Sequence, residues 1–467
     1  MFFIFCTWLR RRIYPAWAAA SFSLALFSPG LLCHISTSSL CIDWVEASAD
    51  SATTVLIDTQ STRTDSTILT LNLAITHALA DNPNLAQIKA RADAMAAIPA
   101  QEGSLPDPQI SFNAMSLPVD SFSTRPEDMT QMSLGLSQAL PFPGKLALRE
   151  QAAKYEAQAA ALNIDELRLT LLSDVKTLWW QIFYLDRAQE SVDSNHNLLQ
   201  QLVDIARSKY EVGVGLQQDV LLAQLELSKL LDQKINLTGM RRNTVARLNA
   251  LLNQPANNAV QLPATVPLPL PNLREENQLY QQAEVSRPML ESERLGINAA
   301  QSKLALAKKD ILPDFNIEAA YGSRNNMQNG SKRADLLSLG ISMNVPVFAA
   351  SKQLKAVDQR SSELMQQRYA LQDQWNAVRV QISQSYSDYQ RAKQQVVLFD
   401  TGIIPQAHQT VASMLAGYQV NKVDFLNLVR SQITLLDYEI QYWKAFTEAQ
   451  QALAQLSAAV GEEAIYD

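Results

Sequence analysis

Cysteine is nearly absent. The 467 residues hold 3, at Cys6, Cys33 and Cys41. The body beyond residue 41 therefore has neither a disulfide framework nor a thiolate metal site. Histidine is as scarce: the 4 are His34, His77, His196 and His408, with no ligand-spaced pair. Zinc hydrolases and His-dependent triads are disfavoured on that ground. A basic excess is also lacking, since 39 Lys plus Arg face 46 Asp plus Glu for a net charge of −7. Without a basic block the chain is a poor partner for nucleic acid. Glycine numbers only 14, which in an Ala-, Leu- and Gln-rich chain points to helix. Beyond residue 49 no window reaches the ~18 apolar residues that a transmembrane helix needs. The body is then soluble or crosses a membrane as strands. No paired-carboxylate motif, nucleophile elbow or phosphate loop is present, so an enzyme is not expected and no cofactor or metal is called for.

What is present begins with Arg10, Arg11 and Arg12 ahead of an apolar run from Ile13 to Cys33. A charged segment before an apolar one is the secretory pattern, and residues 1–49 are expected to be an export signal, with Ala47-Ser48-Ala49 as a cleavage site. A retained anchor, or a lipid on Cys33 or Cys41, are the other readings of this stretch. Residues 50–70 follow as an N-terminal segment.

The rest is an internal duplication. Asn82-Pro83-Asn84-Leu85 answers Arg287-Pro288-Met289-Leu290, Leu105-Pro106-Asp107 answers Leu312-Pro313-Asp314, and Leu140-Pro141 answers Val345-Pro346. Tyr210 answers Tyr418, and Ala223-Gln224 answers Ser431-Gln432. The first repeat is placed at 71–253 and the second at 273–461, with a tail at 462–467. Between them, 254–272 holds five of the 19 Pro and reads as an extended linker. Each repeat has the order helix, strand, strand, very long helix, helix. Leading helices are expected over Leu73–Ala97 and Leu279–Lys309. From Lys145 to Val212 there is no Gly or Pro, and as one helix that stretch is about 100 Å long. The second long helix runs from Ala349, with an interruption and a kink expected around Gly402 and Pro405.

Four segments alternate with period two: 109–115, 130–138, 314–321 and 336–345. Met132, Leu134 and Leu136 oppose Ser133, Gly135 and Ser137. Phe315 and Ile317 oppose Asn316 and Glu318, while Leu339, Ile341 and Met343 oppose Gly340, Ser342 and Asn344. One face apolar and one polar is the pattern of a transmembrane barrel strand. An ordinary half-buried antiparallel sheet alternates in the same way. The helical context favours the barrel, with Met132, Leu134, Leu136, Phe315, Ile317, Leu339, Ile341 and Met343 facing lipid. Four strands cannot close a barrel, and an open edge is not tolerated in lipid. The barrel must then be shared, as eight strands in a dimer or twelve in a trimer.

The stretches NPNLAQIKARADA, LPDPQISF, SQALPFPGK, YEVGVGLQQDVLLAQLEL and IIPQAHQTVASMLAGYQVNKVDFLNLVRSQITLL, in this order, resemble the TolC-like outer-membrane efflux protein family. The resemblance covers roughly residues 70–461 and is greatest to the heavy-metal and cation branch that works with resistance-nodulation-division pumps. It implies a mainly α fold with a small β part: a homotrimer whose transmembrane β-barrel continues into a periplasmic α-helical coiled-coil tunnel. It also implies the outer membrane of a Gram-negative bacterium, with a periplasmic adaptor protein and an inner-membrane efflux pump as partners. The expected function is a passive efflux channel for small solutes, heavy-metal cations among them. The alternatives are a periplasmic coiled-coil adaptor or scaffold, and an outer-membrane channel for polypeptide secretion.

Each long helix ends on a tyrosine and a turn. Tyr210 is followed by Gly213 and Asp219, and Tyr418 by Asn421, Asp424, Asn427 and Arg430. Gly213 and Asn421 are types that tolerate left-handed backbone at a helix end. These eight residues are the candidate periplasmic entrance or gate. In the family pattern, positions 427 and 430 often carry acids that ring the entrance. Here they are Asn and Arg, so that ring does not transfer to this chain.

Overall fold

The computed structural model describes residues 68–267, 269–462 and 465–466. The export signal, its cleavage site and the lipidation readings at Cys33 and Cys41 lie outside the described residues. The first repeat contains α1 (Leu71–Asp81), α2 (Pro83–Ala96), α3 (Ile98–Gly103), β1 (Gln109–Met115), β2 (Gln131–Leu140), α4 (Lys145–Glu211) and α5 (Gln217–Leu251). The second contains α6 (Glu276–Ser286), α7 (Pro288–Lys309), β3 (Phe315–Ser323), β4 (Leu336–Met343), α8 (Gln353–Leu398), a π-helical turn at Phe399–Ile403, α9 (Ile404–Gln419) and α10 (Phe425–Val460).

The leading helices differ from the expectation of one helix each. Both break at the X-Pro landmark. Asn82 closes α1 through its amide to Ala78 O at 3.2 Å, and its Oδ1 caps α2 by accepting from Leu85 N at 3.1 Å. Its Nδ2 also reaches Leu251 O at 2.9 Å. Pro83 then stands at the first helical position, where its missing amide costs nothing. Arg287-Pro288 repeats the break, and there Arg287 is buried in an ion pair with Glu166 at 2.6 Å.

The expected kink at Pro405 takes a milder form. The helix widens for one turn, so that Ile404 N donates to Phe399 O, one residue further back than α spacing allows. Pro405 falls in the first turn of α9, beyond this widening, where an amide is least missed.

The 67 residues of α4 make a rod of about 100 Å. A rod of that length cannot be enclosed by one globular core, and three apolar clusters are strung along it and its neighbours. Trp179, Trp180 and Phe183 of α4 meet Ala74, Leu248 and Phe446 in one. Leu199, Leu202 and Val203 meet Ala223, Phe425 and Leu428 in a second, towards the helix ends. Leu290, Ile382, Tyr389 and Leu456 form a third in the second repeat. The strands form one antiparallel sheet in the order β1-β2-β3-β4, so β1 and β4 each leave one edge unpaired within the chain.

Candidate functional site

The sheet carries the first candidate surface. Residues opposite one another in register share a face. Ile110 is paired with Leu136, Phe112 with Leu134, Leu134 with Tyr321, Ile317 with Ile341, and Phe315 with Met343. The register therefore joins the lipid-facing candidates of β2, β3 and β4 into one apolar surface. Among the described residues no helix packs extensively over it. Leu134 is 58% exposed, and Leu339 and Ile341 are each 77% exposed. The other face is small and polar: Gly135 lies so close to Ser111 that a Cβ there would stand 2.6 Å from its Oγ, and Ser133 is buried. A half-buried sheet of a soluble domain would show its apolar face covered. Here that face is open, and a contiguous apolar surface of this kind marks an interaction with lipid or protein. No described helix is long and apolar enough to cross a membrane.

The second candidate surface is formed by the turns at the ends of the long helices. Both turns use the same hydrogen bonds. Gly213 N donates to Tyr210 O at 2.9 Å and Val214 N to Lys209 O at 2.9 Å; Asn421 N donates to Tyr418 O at 3.1 Å and Lys422 N to Gly417 O at 2.8 Å. Gly213 and Asn421 take the left-handed position in each, at φ 75° and 58°. This is the helix-end motif that returns the chain into a second helix.

The side chains differ between the two turns, and they bring the turns together. Lys209 Nζ donates to Tyr418 O at 2.7 Å and to Asn421 Oδ1 at 2.6 Å. It also lies 4.2 Å from the centroid of the Tyr418 ring. Tyr418 is buried and packs on Phe425 with ring centroids 5.3 Å apart. Burial raises its phenol, and the charge of Asp219 raises it further. Asp219 sits in the first turn of α5. Its carboxyl is held above the ordinary value, chiefly by burial and then by the charge of Asp424, while a hydrogen bond from the Leu216 backbone and the Lys209 ammonium pull it down. Asp219, Tyr418, Asn421 and Asp424 thus belong to one electrostatic cluster centred on Lys209.

Tyr210 and Gly213 flank this cluster and are exposed. Asn427 and Arg430 stand apart from it. They line a groove of about 460 Å³ with Ile403, Gln406, Met414 and Tyr438, and it runs between α9 and α10. Within one chain Arg430 has no ion-pair partner among the described residues. Lys209 was not among the residues singled out from the sequence. Its partners Tyr418 and Asn421 lie in the other repeat, 209 and 212 residues away, so no local pattern marks it.

Among the described residues no group of three or more His, Cys, Asp or Glu is placed to hold a metal.

The sequence pattern of a family described as "Outer membrane efflux protein" matches residues 74–254 and 279–462. The outer membrane efflux protein BepC of Brucella suis biovar 1 (strain 1330) is 23% identical over 295 residues, 62% of this chain and 59% of BepC. An uncharacterized protein of Haemophilus influenzae is 22% identical over 191 residues, 41% of this chain and 42% of that protein. The matched stretch thus spans less than two thirds of the length of both relatives. Among solved structures, the outer-membrane channel OprN superposes with a TM-score of 0.71 at 17% identity, covering 84% of this chain and 89% of that one. The outer membrane protein VceC of Vibrio cholerae gives 0.71 at 17% identity, covering 84% and 96%. At such identities the likeness is one of fold.

Proposed function

We propose a function from one premise: the chain belongs to the outer membrane efflux protein family. The reading is a passive outer-membrane channel of an efflux system, assembled from three copies and fed by a periplasmic adaptor and an inner-membrane pump. Small solutes are the cargo class, with heavy-metal cations among them. The observation that carries this reading is the open sheet. Four strands expose an apolar face and leave two unpaired edges, and neither is stable in lipid unless further copies close the ring. Three copies give twelve strands, within the range of natural barrels. The helices then continue below the barrel as the wall of a conduit. The sequence holds no phosphate loop to power such a conduit, so in this reading the energy comes from the pump. Among the similar proteins, BepC is an outer membrane efflux protein and OprN an outer-membrane channel.

The test joins three measurements on the full-length protein in a Gram-negative host. Membranes are separated by density and washed at alkaline pH. The purified protein is sized in detergent by light scattering. A deletion strain is challenged with metal salts, dyes and antibiotics. The reading expects an alkali-resistant outer-membrane protein, a trimer, and hypersensitivity to part of the panel. Release by the alkaline wash would instead indicate a peripheral adaptor or scaffold, and a monomer with full β content would remove the shared barrel. Loss of a secreted polypeptide without any change in sensitivity would favour the secretion reading.

A further inference from the structure

The duplication uses one contact inside the chain and leaves its counterpart open. Lys145, the first residue of α4, is 1% exposed. Its Nζ lies 2.8 Å from Asp314 Oδ1 and 3.4 Å from Asp310 Oδ1, and it donates to Leu312 O at 2.9 Å. Asp314 Oδ1 also accepts from Phe142 N at 2.8 Å. This contact locks the β2–α4 junction of the first repeat onto the α7–β3 junction of the second.

The repeat supplies both partners again. Lys352 stands six residues after Pro346 and caps α8, and Lys145 stands four residues after Pro141 and opens α4, so the second copy carries two extra residues between landmark and lysine. Asp107 closes the Leu-Pro-Asp stretch before β1, as Asp314 closes it before β3. The two partners are displaced by one offset, 207 in each case (352 − 145 and 314 − 107). Yet Lys352 and Asp107 cannot meet within a chain, because β4 and β1 are the opposite edges of the sheet. Both residues are exposed, and neither has an ion-pair partner among the described residues.

Their surroundings are open as well. Val347 and Phe348, beside Lys352, are 78% and 76% exposed, and Leu105, beside Asp107, is 53% exposed. By comparison Leu312, the counterpart of Leu105, is 38% exposed, and Phe142 beside Lys145 is partly buried. The helices tell the same story. α4 packs on the leading helices of both repeats, α2 and α3 and also α7, whereas among the described residues α8 packs mainly on α10 and α7 and makes no extensive contact with α2 or α3.

We propose that Lys352 of one copy pairs with Asp107 of the next, repeating between chains the contact that Lys145 makes with Asp314 within one. The occupant of this surface is a second copy of the chain, selected by opposite charge, by the apolar residues around each charge and by the internal symmetry. The pair sits at the junction of barrel and helices and closes the ring there. Gly103 stands where the offset would place a second acid matching Asp310, so the intermolecular lysine has one carboxylate rather than two. The proposal rests on the ring-of-copies reading given above.

The experiment uses full-length protein in outer membranes of a Gram-negative host. The double variant Asp107→Cys/Lys352→Cys is treated with a short bismaleimide and run on denaturing gels. Covalent dimers and trimers are expected, with monomer alone from each single variant, which also controls for Cys6, Cys33 and Cys41. A charge exchange adds a second readout. Asp107→Lys and Lys352→Glu should each lower the temperature at which the detergent-solubilised trimer dissociates, and the two together should restore it to near the wild-type value. A wild-type trimer in which the cysteines do not cross-link, or in which the exchange restores nothing, overturns the pairing and leaves the ring intact. A wild-type protein that is monomeric in detergent overturns both.

Discussion

Lys209→Met tests whether the tips of the two helical hairpins are held together by one side chain. The substitution keeps the apolar stem and removes the ammonium. Two hydrogen bonds are lost, to Tyr418 O at 2.7 Å and Asn421 Oδ1 at 2.6 Å, together with the contact to the Tyr418 ring at 4.2 Å. Hydrogen bonds to a charged group are worth about 1.5–3 kcal/mol net, and the exposed position of Asn421 argues for the low end. A cation over an aromatic ring at such a site adds about 0.5–1 kcal/mol. Two such bonds and the ring contact total about 3.5 kcal/mol, which at ~1.4 kcal/mol per tenfold makes separation of the tips about 300-fold more favourable. Asp219 would also lose one of the two influences that lower its pKa, so its ionised form would become still less favourable in the packed state. If the tips gate the channel, the open fraction of single channels in planar bilayers should rise, and cells should admit vancomycin. The control is Lys234→Met, which removes the same charge from a mid-helix pair with Asp193 at 2.7 Å. Such exposed pairs contribute no more than about 1 kcal/mol. An unchanged open fraction after Lys209→Met, or an equal effect of Lys234→Met, would refute a gate at this cluster.

The pH response of the tips follows from Asp219, whose folded pKa lies above its unfolded one. Its ionised form therefore destabilises the packed tips at neutral pH, and that cost disappears as pH falls through the folded value. Open time should thus fall on acidification towards the carboxylate range, and Asp219→Asn should hold the tips closed at neutral pH with no such dependence, both read in planar bilayers. On the sheet, Ile341→Arg should block assembly into heat-modifiable protein in the outer membrane, because arginine on a lipid face costs about 2–4 kcal/mol at mid-depth, while Ser342→Arg on the other face should assemble. Lys145→Met leaves Asp310 and Asp314 without their cation. Breaking a buried pair costs about 3–5 kcal/mol, reduced here to about 2–4 because both carboxylates stay partly exposed, and the dissociation temperature of the assembly should fall accordingly.

What could be read from the sequence was what local periodicity encodes. The alternation of Leu337, Leu339, Ile341 and Met343 with Ser338, Gly340 and Ser342 depends on neighbours two positions apart, and the long helix depends on the absence of Gly and Pro from Lys145 onward. The breaks at Asn82 and Arg287 were less visible, because apolar spacing continues across them. What ends α1 there is a side chain turned into a cap, backed by a distant carbonyl at Leu251. The π-turn before Pro405 is a compromise between a missing amide and continued packing of the helix, and composition does not say which gives way. Lys209 was hidden for a stronger reason. Its partners are 209 and 212 residues away, so nothing local marks it. Arg430 is the converse: its place in the repeat made it conspicuous, yet the fold sets it in a groove away from the charged cluster.

The two turns also show how a duplicated unit acquires a contact that neither copy has alone. Each needs a residue with positive φ, and the first uses Gly213 while the second uses Asn421. Glycine fits that backbone without strain, but it offers no side chain. Asparagine tolerates the same conformation and adds an acceptor, which Lys209 of the other turn occupies. The backbone and side-chain parts of this arrangement are separable. Asn421→Gly keeps the turn and removes one of the two hydrogen bonds from Lys209, so it should loosen the tips by about 1.5 kcal/mol, less than Lys209→Met. Asn421→Ala removes the same bond and adds a left-handed backbone penalty of about 1–2 kcal/mol. Open fractions in planar bilayers should therefore rise in the order wild type, Asn421→Gly, Asn421→Ala. If the glycine variant behaves as wild type and only the alanine variant opens, the hydrogen bond carries nothing and Asn421 serves the backbone alone. Lys209 would then hold the tips through Tyr418.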